Sequence, residues 1–310
     1  MLIKHAKKII MDCALPTDTL IVRLLDPTHI AVAHCGQREK ELVNPLSFDE
    51  VYAMSSDDFW EYLQDSYKKI PENHKWEPDY YCYTKNKICM YNDKYVKKVI
   101  ISTSKHCNNL CKMCMVSSNT YLNTETDKKL YFSILEKLKG HGIFEIGLTH
   151  NGEPFLYKKE AFDYMESLKA KIDCTQICIT SNTSLLNSDD IQRLKRIKDI
   201  QGIDMFFMAS CSAITAETYK QVHGTPYFET VKNNILELNK NNILSCISFV
   251  IQRENIHELE FLKDYWYSQG VTVPLYARIL VGFDGAEIAK MPEYQRFLQV
   301  REKLGPEIFK

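Results

Sequence analysis

The sequence predicts an α/β fold, a barrel or partial barrel of six βα units behind a small N-terminal α+β domain, and two observations carry that expectation. From residue 99 onward, short β-rich runs alternate with amphipathic stretches whose apolar residues recur at three and four, as in strand–helix repeats around a parallel sheet. Residues 1 to about 98 break that alternation. With 310 residues the chain has room for one large core or two modest ones.

In the N-terminal part, "DTLIVRLLDPTHIAVAHCG" reads as two strands around an Asp-Pro turn, and "SFDEVYAMSSDDFWEYLQDSYKKIP" as one or two helices. After Pro71 the aromatic-rich "HKWEPDYYCYTKNKICMY" reads as a connector packed on the barrel, or as the lining of a peptide groove. Strands follow at "VIISTS" (99–104), "FEIGLTH" (144–150), "QICITSN" (176–182), "IDMFFMAS" (203–210), "SCISFVI" (245–251) and "VTVPLYARI" (271–279). Between them lie helices such as "ETDKKLYFSILEKLKG", "SDDIQRLKRI" and "YFETVKNNILELNK". The expected division is 1–98 for the N-terminal domain and connector, 99–285 for the barrel, and 286–310 for a helical tail.

Composition narrows the function classes. The 39 basic and 40 acidic residues leave a net charge of -1, so nothing in the charge balance points to nucleic acid or an anionic membrane. No run of eighteen apolar residues occurs, and "MLIKHAKKIIMDCALP" lacks an export pattern; a soluble cytoplasmic protein is expected. Eleven cysteines is an odd number, so complete internal pairing is impossible, and reduced thiols serving a metal are favoured over a disulfide framework.

Three of those cysteines fall in "SKHCNNLCKMC": Cys107, Cys111 and Cys114, spaced C-x3-C-x2-C on a polar loop after the first barrel strand. Loops after strand C-termini build the active site of a parallel βα fold. Four thiolates would close a zinc site or a complete iron–sulfur cluster. Three leave one position open, which suits a cluster that binds a substrate at its remaining iron. The alternative of another class is a non-catalytic zinc protein with the barrel as scaffold.

With that spacing in that place, "CNNLCKMC" resembles the signature of the radical S-adenosylmethionine (radical SAM) superfamily. The resemblance implies a partial (β/α)6 TIM-like barrel. It also implies that Cys107, Cys111 and Cys114 hold a [4Fe-4S] cluster whose fourth iron chelates S-adenosylmethionine (SAM). Further segments follow in the family's order. "THNGEPFL" resembles its GGEP motif, with Asn151 at the first Gly and Gly152, Glu153 and Pro154 retained. "ITSNTSLLN" resembles T-N-G-T-L-L, with Thr183 at its Gly, and the resemblance implies that Ser181 and Asn182 are cofactor-binding residues. "MASCSAITAETYKQVHG" resembles the S-x-D-G segment, with Ser210 in place and Ser212 and Ala213 at the Asp and Gly. Ser210 and Ser212 are thereby candidate partners of the SAM ribose. In "YARILVGFDGAE", Arg278 is placed to approach the SAM carboxylate or a substrate, or is a surface Arg.

The resemblance also implies that SAM is cleaved to a 5'-deoxyadenosyl radical that abstracts hydrogen from a substrate, with an electron donor such as flavodoxin or ferredoxin. A peptide or protein substrate is favoured over a small molecule, from the likeness of the fourth and fifth βα units to peptide-maturing members. No cysteine follows Cys246, so a C-terminal cysteine-rich SPASM or twitch extension is not expected. Cys13, Cys35, Cys82 and Cys89 read as scattered packing thiols, with a second cluster or a zinc as the alternative, and Cys174 and Cys178 as packing residues. Cys211 reads either as a hydrogen donor to the substrate radical or as a small apolar filler beneath SAM.

Overall fold

The computed structural model describes residues 19–26, 29–34, 43–68, 98–101, 106–114, 128–143, 145–148, 152–172, 174–279 and 285–304. The aromatic connector, Asn151, Cys13, Cys35, Cys82 and Cys89 lie outside the described residues.

All six expected barrel strands are present: β4 (Lys98–Ile101), β5 (Glu145–Gly147), β6 (Gln176–Ser181), β7 (Asp204–Ser210), β8 (Leu244–Ile251) and β9 (Leu275–Ile279). They pair in parallel and in sequence order, the sheet of a partial TIM-like barrel. Alternation along β6 and β7 sends Ile177, Ile179, Met205, Phe207 and Ala209 into the same core as Leu168, Ile191 and Leu194 of the covering helices. β4 is buried at all four positions, as befits a central parallel strand.

The N-terminal strands extend that same sheet rather than forming one of their own. β1 (Thr19–Asp26) pairs with β2 (His29–His34), and β2 with β3 (Val43–Ser47), both antiparallel. β1 also lies parallel to β4, with Leu20 opposite Val99 and Val22 opposite Ile101. The order is therefore β3-β2-β1-β4-β5-β6-β7-β8-β9. Two helices follow β3, α1 (Phe48–Ala53) and α2 (Ser56–Lys68); Ser47 caps α1 through a capping box with Glu50. They pack on the first barrel helix, α3 (Lys128–Leu138). The Ser56 hydroxyl donates to the Lys137 carbonyl at 2.7 Å, and Trp60 stacks on His141 at 4.6 Å.

The remaining barrel helices are α4 (Lys158–Lys171), α5 (Ser188–Gln201), α6 (Ala216–His223), α7 (Phe228–Lys240) and α8 (Leu262–Ser268). Beyond the barrel come α9 (Gly285–Ile288) and α10 (Pro292–Leu304), and Phe297 of α10 is buried in the common core. At the N-terminal ends of the strands, Lys98 and Glu145 form a buried ion pair at 3.4 Å, with Cys178 beside it. The opposite end carries the loops that gather the site. Among the described residues no helix is long and apolar enough to cross a membrane.

Candidate active site

The cysteine loop, residues 106–114, is held by main-chain bonds to two neighbours. Leu110 N–H donates to the His223 carbonyl at 2.9 Å and Lys112 N–H to the Val222 carbonyl at 3.1 Å. These are carbonyls of the last turn of α6, which a helix end leaves without intrahelical partners; the loop thus doubles as the C-terminal cap of α6. On its other flank, Glu153 N–H donates to the His106 carbonyl at 2.6 Å.

Side chains complete the attachment. Asn109 is buried between helix and turn, donating to the Tyr219 hydroxyl at 3.2 Å and accepting from Thr225 Oγ1 at 2.8 Å. Asn108 accepts from Asn182 Nδ2 at 2.9 Å and donates to Ser184 Oγ at 2.8 Å. The loops after β4 and β6 are thereby joined by the Asn182 that the sequence singled out.

Glu153 joins the loop after β5 to the end of β6. Its Oε1 accepts from Ser181 Oγ at 2.7 Å and from Phe155 N–H at 3.2 Å, and its Oε2 accepts from Asn182 N–H at 2.8 Å. Burial pushes its pKa up to about 7, against the lowering pull of those three donors. Gly152 lies beside it with φ 118°, and Pro154 opens the short 3-10 turn Pro154–Tyr157. Thr183, at the position of the expected Gly, has φ 60°, the left-handed backbone that glycine adopts without penalty. The segment keeps the conformation although the residue differs. Its carbonyl is fixed by Asn234 Nδ2 of α7 at 2.8 Å.

Of the two serines after β7, Ser210 is half-buried at the strand end, while Ser212 is fully engaged with protein. Its Oγ accepts from Val250 N–H at 3.0 Å, its carbonyl accepts from Asn255 Nδ2 at 2.8 Å, and its N–H donates to His223 Nε2 at 3.0 Å. Cys211 is wholly buried with Sγ against the Ala213 carbonyl at 3.4 Å, and burial pushes its thiol up to about 12. Arg278, next to last in β9, is half-buried, sits over Tyr276 at 5.6 Å, and has a buried Nε with no hydrogen-bond partner.

Cys107, Cys111 and Cys114 are half-exposed, in contrast to the buried Cys174, Cys211 and Cys246. Burial is the main cause pushing Cys107 up to about 11, and Glu153 and Cys114 add to it. Cys111 is driven higher still by burial and by its two companion thiols. Two neighbouring thiols that resist ionisation alone, Cys107 and Cys111, belong to a site that the positive charge of irons would complete. Three thiols on one loop suit a cubane, in which each thiolate takes a different iron and one iron is left over; the donor set fits a cluster.

The sequence pattern of the Radical SAM superfamily matches residues 101–265, more than half of the chain. The chain belongs to the radical SAM superfamily. Its cofactors are accordingly those of that family, a [4Fe-4S] cluster and SAM. Streptococcus suis SuiB bound to S-adenosylmethionine is 16% identical, with a TM-score of 0.50 over 66% of this chain and 46% of that one. The structure of anSMEcpe with bound AdoMet and Kp18Cys peptide is 15% identical, with a TM-score of 0.50 over 59% of this chain and 51% of that one. Both likenesses speak to the fold. The uncharacterized protein MJ0804 of Methanocaldococcus jannaschii is 29% identical over 138 residues, 44% of this chain and 41% of that protein. The chain thus spans about half the length of those solved structures and less than half of that relative.

For a radical SAM protein, the cluster loop must keep its shape, and Gly224 is where that is most exposed to test. It caps α6 with φ 71°, and a Cβ there would lie 2.8 Å from Leu110 Cβ and 2.9 Å from the Leu110 carbonyl oxygen. Gly224→Ala is expected to cost about 1–2 kcal/mol for the left-handed backbone and about 1–3 kcal/mol for overpacking. It should also lower iron retention, because the obstructed atoms belong to the cluster loop. Melting and iron content unchanged from wild type would show that the loop does not depend on this approach.

Proposed function

We propose that this protein is an enzyme that cleaves SAM reductively and removes a hydrogen atom from a peptide or protein substrate. The observation that carries the reading is the placement of Cys107, Cys111 and Cys114 on one loop at the C-terminal end of the sheet, joined to the loops after β5 and β6. In this reading the three thiolates hold the cluster, which when bound supplies the electron that cleaves SAM to a 5'-deoxyadenosyl radical. Residues 151–154 position the methionine moiety, Ser181 and Asn182 set the loop beside it, and Ser210 faces the ribose. Ser212 is less suited to that role, being occupied with Val250, Asn255 and His223. Arg278 offers an unpartnered Nε to a carboxylate.

We assign substrate recognition to residues 1–98 and the barrel mouth. β3 is one of the two edge strands of the sheet among the described residues, and a sheet edge suits an extended peptide; the peptide bound to anSMEcpe agrees with that substrate class. A flavodoxin or ferredoxin would supply the electron, in the cytoplasm. A short precursor-peptide gene beside the gene for this protein would support the peptide reading; its absence would favour a small-molecule substrate.

Anaerobic reconstitution tests the chemistry. About four iron and four sulfide per chain are expected, with 5'-deoxyadenosine formed from SAM and a reductant. A protein that takes up only zinc and forms none would overturn the proposal. The burial of Cys211 favours its reading as a filler, so Cys211→Ala should leave turnover unchanged. SAM cleavage without completed product in that variant would restore the hydrogen-donor reading.

A further inference from the structure

We propose that His223 raises the reduction potential of the cluster by donating a hydrogen bond from Nδ1–H to the sulfur of Cys111. The inference rests on Cys107, Cys111 and Cys114 being the cluster ligands, and it follows from the tautomer that the surrounding backbone imposes. Ser212 N–H lies 3.0 Å from His223 Nε2. A peptide N–H can only donate, so Nε2 is the acceptor and carries no proton. The proton of a neutral imidazole must then be on Nδ1, which lies 3.0 Å from Cys111 Sγ.

The ring is held in that orientation from several sides. It is 1% exposed and stacks on Tyr219 at 4.3 Å and 27°. Ser212, which orients it, is itself pinned by Val250 N–H and Asn255 Nδ2. The backbone of the same histidine accepts from Leu110 N–H at 2.9 Å, so one residue holds the loop by its main chain and addresses its thiol by its side chain. Cys107 meets more distant donors, Asn109 N–H at 3.4 Å and Asn182 Nδ2 at 3.6 Å.

Hydrogen bonds to cluster sulfurs raise reduction potentials, because the added electron increases the charge on sulfur and the donor stabilises the reduced form more than the oxidised. His223 is therefore a positioning residue whose distinctive effect is on electron affinity, and its consequence would be easier reduction by a cellular donor.

The test is an EPR-monitored redox titration of the anaerobically reconstituted enzyme. His223→Phe keeps an aromatic ring against Tyr219 and removes both nitrogens, while His223→Asn retains an amide N–H near the position of Nδ1. The Phe variant is expected to show about a tenfold smaller equilibrium constant for reduction, equivalent to about 59 mV for a one-electron couple. The Asn variant should recover most of it. A merely structural role would lower cluster yield without moving the potential of the clusters that form. Should the Phe variant hold no cluster, pulsed EPR of the reduced wild-type cluster with 15N-histidine decides. A ring-nitrogen coupling that persists in His106→Asn and vanishes in His223→Asn is expected. An unchanged potential in a cluster-bearing Phe variant, or no histidine coupling in wild type, overturns the inference alone. A wild-type protein that assembles no cluster overturns the ligand assignment and this inference with it.

Discussion

Replacing Cys107, Cys111 and Cys114 together by Ala is expected to bring iron and sulfide from about four of each per chain to background and to abolish 5'-deoxyadenosine formation, with only a modest fall in melting temperature before reconstitution. The two parts of this expectation have different origins. Loss of the cluster follows from chemistry, since Ala offers no ligand to iron and Asn108, Asn109 and His223 already have other partners. The effect on folding is confined to about 1–3 kcal/mol, since the buried His223 Nδ1–H loses Cys111 Sγ as its acceptor while the loop stays anchored through Asn109, Leu110 and Lys112.

The control runs the other way. Cys246→Ala removes a buried thiol from β8, far from the ligand set in function, and should lower stability by about 0.5–3 kcal/mol while leaving iron content intact. Iron and sulfide assays with thermal melts of wild type, the triple variant and Cys246→Ala separate the outcomes. Retention of a full cluster in the triple variant would mean that other cysteines supply the ligands.

Much of this was legible from residue types and spacing because the relevant interactions are short in sequence. Each barrel strand announces itself by β-branched and aromatic runs of a few residues, and the cysteine loop lies within one turn of chain. The pairing of β1 with β4 was not legible. Leu20 and Val99 meet across an intervening hairpin, a further strand and two helices, and an alternating apolar strand is equally compatible with a sheet of its own. The same reason hid His223. In "QVHG" it reads as the end of a helix before a capping glycine, and only the fold brings its ring to Cys111. Its one sequence-level signal is a titratable residue just before the turn that follows the fourth strand unit. Asn109 reads from the sequence as loop polarity, and only the fold shows it buried and fixing the loop through Tyr219 and Thr225. Ser212 illustrates the converse: the sequence places it at the expected offset, and the structure spends its backbone N–H and both its oxygens on protein.

The carboxylate of Glu153 gives the second large effect. It is 2% exposed and satisfies Ser181 Oγ–H, Phe155 N–H and Asn182 N–H. Glu153→Ala would leave all three donors without a partner in the protein interior, and is expected to cost about 3–5 kcal/mol. Glu153→Gln keeps the volume but turns an amide N–H toward a donor, for an expected loss of about 1–3 kcal/mol. The pH dependence separates the charge from the shape. Burial lifts the folded pKa to about 7 from an ordinary 4.5, so the folded state favours the neutral acid. That contribution is complete below about pH 4.5 and is lost as pH rises through about 7. The stability advantage of wild type over Glu153→Gln should therefore shrink between pH 5 and pH 8, by at most about 3 kcal/mol. Urea unfolding of both proteins before reconstitution, at a series of pH values, measures it. A gap that widens with pH would mean that the three donors outweigh burial and hold the group ionised, in which case Glu153 presents a fixed negative charge beside the cysteine loop.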